Sequence, residues 1–137
     1  MTSASFVGFG EAEDEKIMIL FNITPVAKPR MVRSDAWAGR KSVAEYWAYK
    51  DRLNLLAKQK RYKIGDTLDI LFRLPMPESW SKKKKAKMNK QYHKQKPDLD
   101  NLVKGFTDAL MPEDKSLCEI NASKFWDLEG CIAIFNS

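Results

Sequence analysis

The sequence predicts a mixed α/β (α+β) domain: a small mixed sheet of about four strands packed with two main helices, in the order β-α-β-(basic segment)-α-β-β. Three observations predict it. Runs at 17–23, 68–74, 117–126 and 131–135 have the length and composition of strands. Two longer segments, 43–60 and 99–110, carry apolar residues at three- and four-residue spacing instead. The two kinds alternate over 137 residues, a length that one hydrophobic core normally serves.

Residues 1–15 hold Glu11, Glu13, Asp14 and Glu15 but no base, and read as a mobile acidic arm ahead of a single domain over 16–137. Acids there also oppose a secretory signal, which needs a basic flank and an apolar segment. The run Ile17 to Ile23, interrupted only by Asn22 and closed by Thr24-Pro25, suits a central strand. Pro25 to Arg40 reads as a basic loop carrying Lys28, Arg30, Arg33 and Arg40. Ser42 can cap the first helix, whose face runs Val43, Tyr46, Trp47, Lys50, Leu53, Leu56 and Ala57, with Lys50 as the interruption. Its aromatic residues Tyr46, Trp47 and Tyr49 read as packing rather than as base-stacking platforms. After the Gly65-Asp66 turn, Leu68, Ile70, Phe72 and Leu74 alternate with Asp69 and Arg73, the period of a half-buried strand, and Pro75 ends it.

The stretch from Ser79 to Pro97 contains eight lysines and no acid. It can start a helix at Ser79 or Ser81, although like charges weaken it unless an anion is bound. Past Pro97, Leu99, Leu102, Val103, Phe106, Ala109 and Leu110 form an amphipathic stripe that stops before Pro112. Two strands then follow, joined through Asp127-Leu128-Glu129-Gly130.

Charge and residue counts narrow the chemistry. The net charge is +6, but the acidic arm contributes −4, which leaves +10 on residues 16–137. A domain this basic either reads a polyanion, with nucleic acid first, or carries a solvated lysine loop. No apolar run approaches the roughly 20 residues of a membrane span. With two cysteines and one histidine the chain lacks four ligands for structural zinc. Triad chemistry could use only His93, which reads as a solvent-exposed loop histidine. Cys118 and Cys131, on what read as neighbouring strands, could be bridged, but buried free thiols in a reducing cytoplasm are the simpler account.

The informative segment is Lys96-Pro97-Asp98-Leu99-Asp100-Asn101-Leu102-Val103-Lys104. Asp98 and Asp100 stand where the chain enters a helix, and in extended geometry they share a side. Paired carboxylates suit Mg²⁺, which takes oxygen ligands and is commonly held by one or two carboxylates plus substrate phosphate. Asp100, Lys104 and Asp108 recur every four residues and place Lys104 one turn away, where it can meet a phosphate. Glu113-Asp114 offers a third acid. The same residues admit a plainer reading: helix caps contributing about 1 kcal/mol each, and a surface ion-pair ladder.

Pro97-Asp98-Leu99-Asp100-Asn101-Leu102-x-Lys104, then Asp108-Ala109-Leu110, then Glu113-Asp114, resembles the signature of the RusA-type Holliday junction resolvases and their prophage-encoded relatives. Thr24-Pro25-x-x-Lys28-Pro29-Arg30 is similar to the loop after that family's first strand. The resemblance spans residues 17–136 and implies a homodimeric, Mg²⁺-dependent endonuclease (Mn²⁺ substituting) that cuts four-way DNA junctions. It implies Asp98, Asp100 and Asp114 as metal-binding catalytic acids, with Glu113 as rival to Asp114, and Lys104 as the essential lysine. Ser116 departs from the Gln common in the family. The expected phosphate contacts are Lys28, Arg30, Arg33, Arg40, Lys82, Lys83, Lys84, Lys85, Lys87 and Lys90. The expected location is cytoplasmic, for a bacterial or phage-encoded protein associated with the nucleoid.

Overall fold

Residues 17–29, 41–111 and 116–136 are described in the computed structural model. The elements are β1 (Ile17–Phe21), α1 (Lys41–Lys60), β2 (Thr67–Pro75), α2 (Lys82–Met88), α3 (Leu99–Leu110), β3 (Glu119–Asp127) and β4 (Cys131–Asn136). The acidic arm lies outside the described residues.

The four strands form one mixed sheet in the order β1-β4-β2-β3. β1 and β2 both pair antiparallel with β4, whereas β2 and β3 run parallel. A parallel neighbour needs a long crossover, and 76–118, with α2 and α3, provides it. Two expectations fail here. β1 is an edge strand, not a central one: its apolar run puts Met18, 54% exposed, on the sheet face away from the core. β3 and β4 are consecutive but not neighbours, because β2 lies between them, so their cysteines are not opposed. Both cysteines are free, and Cys118, just before β3, is exposed rather than buried.

One sheet face carries the core. Leu68, Ile70, Phe72 and Leu74 of β2 line it, as the two-residue period requires, and Ile132 and Ile134 of β4 continue it with Phe21 of β1. Against them pack Tyr46, Tyr49, Leu53 and Ala57 of α1 and Leu102, Phe106 and Ala109 of α3. Tyr49 thus takes the place expected for Trp47. Trp47 sits about 100° around the helix from Tyr46 and stays half exposed. α1 runs from Lys41 to Lys60, starting two residues earlier than the expected 43, so the position of Ser42 falls inside the helix bounds.

Two side chains tie α1 to α3 through backbone acceptors. The Tyr46 hydroxyl donates to the Gly105 carbonyl at 3.0 Å, and the Asn54 amide donates to the Ala109 carbonyl at 3.0 Å. The chain leaving β1 then runs close along α3. A Cβ at Gly105 would stand 2.8 Å from the Val26 carbonyl oxygen and 3.0 Å from the Lys28 nitrogen. Only glycine permits that approach.

The outer edge of β3 does not face water along its whole length. Residues 90–93 run beside it: Lys90 N–H donates to the Trp126 carbonyl, Trp126 N–H to the Gln91 carbonyl and His93 N–H to the Lys124 carbonyl. Covering an edge in this way removes a template for unwanted strand pairing. It also corrects the reading of His93. The imidazole is 5% exposed and lies 3.9 Å from the Trp126 ring, because strand-like pairing turns it inward.

Candidate active site

The same segment leads directly into α3. Its path turns at the cis Lys96–Pro97 bond, and Asp98 becomes the N-cap of α3, with φ −70° and ψ 146°. The Asp98 carbonyl accepts the Leu102 N–H at 3.1 Å, the first bond of the helix. Its carboxylate makes no capping hydrogen bond. Asp100, in the first turn, accepts only the adjacent Asn101 N–H at 2.9 Å. Both acids are exposed. The plain cap reading therefore lacks the bond that would justify it: a capping aspartate contributes by accepting a free N–H of the first turn.

The ion-pair ladder is absent as well. Lys104 is exposed and forms no ion pair among the described residues. Asp108 turns to Lys28 instead, at 2.5 Å, while the Lys28 N–H donates to the Asn101 carbonyl at 3.1 Å. Lys28 thus pins the chain after β1 against the helix that bears the acids. A cleft of about 480 Å³ separates α3 from β3, and Asp100, Lys104, Thr107, Ile120 and Ala122 line it. Asp100 and Lys104 are accordingly brought to one opening, with Asp98 two residues before Asp100 at the helix entrance.

Two exposed carboxylates with spare oxygens are the hard donors that Mg²⁺ accepts while keeping waters and a substrate phosphate. The donor chemistry fits that ion. Among the described residues no group of three His, Cys, Asp or Glu could hold a metal. Glu113 and Asp114, between which the third acid was expected, lie outside those residues.

Lys124 was not anticipated. From the middle of β3 its ammonium donates to the Gln95 carbonyl and the Pro97 carbonyl, both at 2.5 Å. Burial lowers its pKa, and the negative charge of Asp98 opposes that shift. Lys124 lies 26 positions from Asp98, and only the register of β3 brings the two together, so no local spacing could have revealed it. His93, next to it, also titrates below its ordinary value. Burial is the main cause and the Lys124 charge adds to it, both disfavouring the charged ring.

The basic tract divides. Ser81 caps α2 by accepting the Lys84 N–H at 3.1 Å, as one of the two expected starts. Lys82, Lys83, Lys84 and Lys87 are exposed along this helix and Lys85 is partly covered. The Lys84 ammonium sits 4.3 Å over the Trp80 ring, which packs on Trp126. Lys90 faces Asp127, which also accepts from Arg73. Arg30, Arg33 and Arg40 lie outside the described residues.

Comparison with known proteins matches the chain to a family. The model of the family described as Endodeoxyribonuclease RusA matches residues 21–135. The chain is also 37% identical over 98 residues to an uncharacterized protein, YqaN, of Bacillus subtilis (strain 168), covering 63% of this chain and 69% of that one.

Proposed function

The chain belongs to the RusA endodeoxyribonuclease family, and on that premise we propose that it is a Mg²⁺-dependent endonuclease that resolves four-way DNA junctions by paired symmetric nicks. The observation that carries this reading is the Asp98 carboxylate: it occupies an N-cap and makes no cap bond, with Asp100 exposed two residues on. Carboxylates left free at a helix entrance, the second of them on the rim of a cleft, suit a cation and a phosphate better than a stabilising cap.

Asp98 and Asp100 would hold the ion, with Asp114 or Glu113 completing the set. Bound there, Mg²⁺ would supply Lewis acidity toward the phosphate and make a water acidic enough to attack. Water adds to phosphorus, the bond to the 3′-oxygen breaks, and the products are a 5′-phosphate and a 3′-hydroxyl. Lys104, one turn along α3, offsets the negative charge that grows on the phosphoryl oxygens. Lys82, Lys83, Lys84 and Lys87 contact flanking phosphates. Two matched cuts need two sites, which a two-fold homodimer provides. The reading places the enzyme in the cytoplasm with the DNA.

The test is cleavage of a synthetic four-way junction by the wild type, Asp98→Asn and Asp100→Asn, with products mapped on all four strands. Paired nicks on opposing strands, dependent on Mg²⁺ or Mn²⁺ and abolished in both variants while junction binding survives, are expected. Wild-type protein that binds the junction but never cuts it with either ion refutes the proposal.

A further inference from the structure

Ahead of the acids in sequence, the segment 87–95 forms a second concavity of about 510 Å³ against Trp126, with Tyr92 on its wall together with Lys87, Met88, Gln91, Lys94 and Gln95. None of the chemistry above uses Tyr92. Its phenol ring stacks on Phe125, with centroids 5.0 Å apart and planes 20° from parallel. The residue is nonetheless 63% exposed, so the other ring face is open to solvent. Tyr92 is fixed twice over, because its backbone bridges to Phe125 along the β3 edge as well. An aromatic ring held flat by a partner, with its outer face free and two lysines beside it, is unusual as packing. It buries little on that side and leaves a large apolar face in water.

We propose that Tyr92 is a stacking platform for an unpaired or end-of-stack nucleobase of the DNA substrate, with Lys87 and Lys94 meeting the adjoining phosphates. This rests on the nuclease reading for its substrate, but the geometry limits the occupant on its own terms. The charge of the rim calls for an anion, and the ring calls for a flat π-face. Within a duplex every base face is covered by its neighbours, so a free face exists only where the stack ends, as at a branch. Tyr92 lies six residues from Asp98, which bounds their separation at about 20 Å even for a fully extended chain. A base seated on Tyr92 would therefore place the branch within a few nucleotides of the acids. The ring is already ordered by Phe125, so little side-chain freedom is lost on binding.

The experiment measures binding in EDTA, where no cutting occurs. Fluorescein-labelled oligothymidylate of about eight nucleotides, within the site range of single-strand grooves, is compared with an oligomer of equal length built from abasic residues. The wild type should prefer thymidylate. Tyr92→Leu should weaken thymidylate binding about 5- to 150-fold, the range for loss of one stacked base, and leave the abasic oligomer unchanged. Tyr92→Phe should restore the preference. Equal wild-type affinity for the two oligomers overturns the proposal whatever the variants do, and so does a Tyr92→Leu change that is the same for both. A wild type that prefers thymidylate but never nicks a junction keeps the platform and removes the nuclease reading. One that nicks junctions without the preference does the reverse.

Discussion

Replacing Lys124 by methionine removes an ammonium and keeps most of the side chain's apolar length. That ammonium holds the Gln95 and Pro97 carbonyls at 2.5 Å, in the residues immediately before Asp98. A hydrogen bond from a charged donor contributes about 1.5–3 kcal/mol. Here the Gln95 bond is exposed, and burial already works against the charged lysine. The pair therefore nets about 1–2 kcal/mol after that offset. Such a loss leaves the domain folded, lowering its melting temperature by about 3–8 °C. Its effect on chemistry should be larger. Asp98 has no capping bond to hold its own carboxylate, so its position depends on the backbone that Lys124 clamps. Misplacing a reacting group by about 1 Å costs up to 100-fold in rate. In single-turnover junction cleavage, Lys124→Met should lose about 10- to 100-fold in rate with junction affinity nearly unchanged. Lys124→Arg, which can still donate to both carbonyls, should recover much of it. A Lys124→Met protein that melts lower yet cuts at the wild-type rate refutes the argument, because the clamp would then stabilise the loop without positioning the acid.

Three further outcomes follow from the same contacts. Gly105→Ala gains about 1 kcal/mol of helix propensity but drives a Cβ to 2.8 Å from the Val26 carbonyl, so urea unfolding should show a net loss of about 1–2 kcal/mol; a variant as stable as its parent contradicts the close approach. Changing Lys82, Lys83, Lys84 and Lys87 together to glutamine should reduce the slope of log binding constant against log salt by about 3–4, read by titration of a junction in EDTA; an unchanged slope removes α2 from the interface. Because His93 titrates below its ordinary value of 6.5, the unfolded chain binds that proton first as pH falls. Stability should therefore be level well above pH 6.5 and decline as pH falls through that value, and His93→Phe should flatten this decline when unfolding is followed across it.

Much of the fold was legible because it is written in local periods. The alternation of Leu68, Ile70, Phe72 and Leu74 and the stripe of Leu102, Phe106 and Ala109 each require only one element's geometry to be read. What failed depends on which elements become neighbours. Cys118 and Cys131 were expected on adjacent strands because their strands are consecutive, yet β2 enters between them by parallel pairing with β3. His93 looked exposed because it lies among lysines, whereas a three-bond ladder along β3 turns it onto Trp126. The acids were visible as a spacing, but whether they cap the helix is a matter of rotamer and distance. The missing cap bond of Asp98 shows only in the folded helix, because both readings share every residue.

The segment 90–97 couples these observations. An eight-lysine tract has no internal reason to hold a shape, since its like charges repel. Here the order comes from outside it: Trp80 and His93 pack on Trp126, Tyr92 on Phe125, and the Gln95 and Pro97 carbonyls on Lys124. All three anchors belong to one run of β3, Lys124-Phe125-Trp126. Asp98 follows this anchored segment directly, so whatever shifts the basic tract along β3 also shifts the first acid. DNA bound on the lysines would therefore bear mechanically on the carboxylate geometry through three consecutive residues of one strand. That coupling predicts that a change at Phe125, far from any phosphate or metal ligand in sequence, should alter cleavage and base stacking together. Phe125→Ala, measured for junction cutting and for oligothymidylate binding, should lower both; loss of stacking with cutting intact would show that the two sites are mechanically independent.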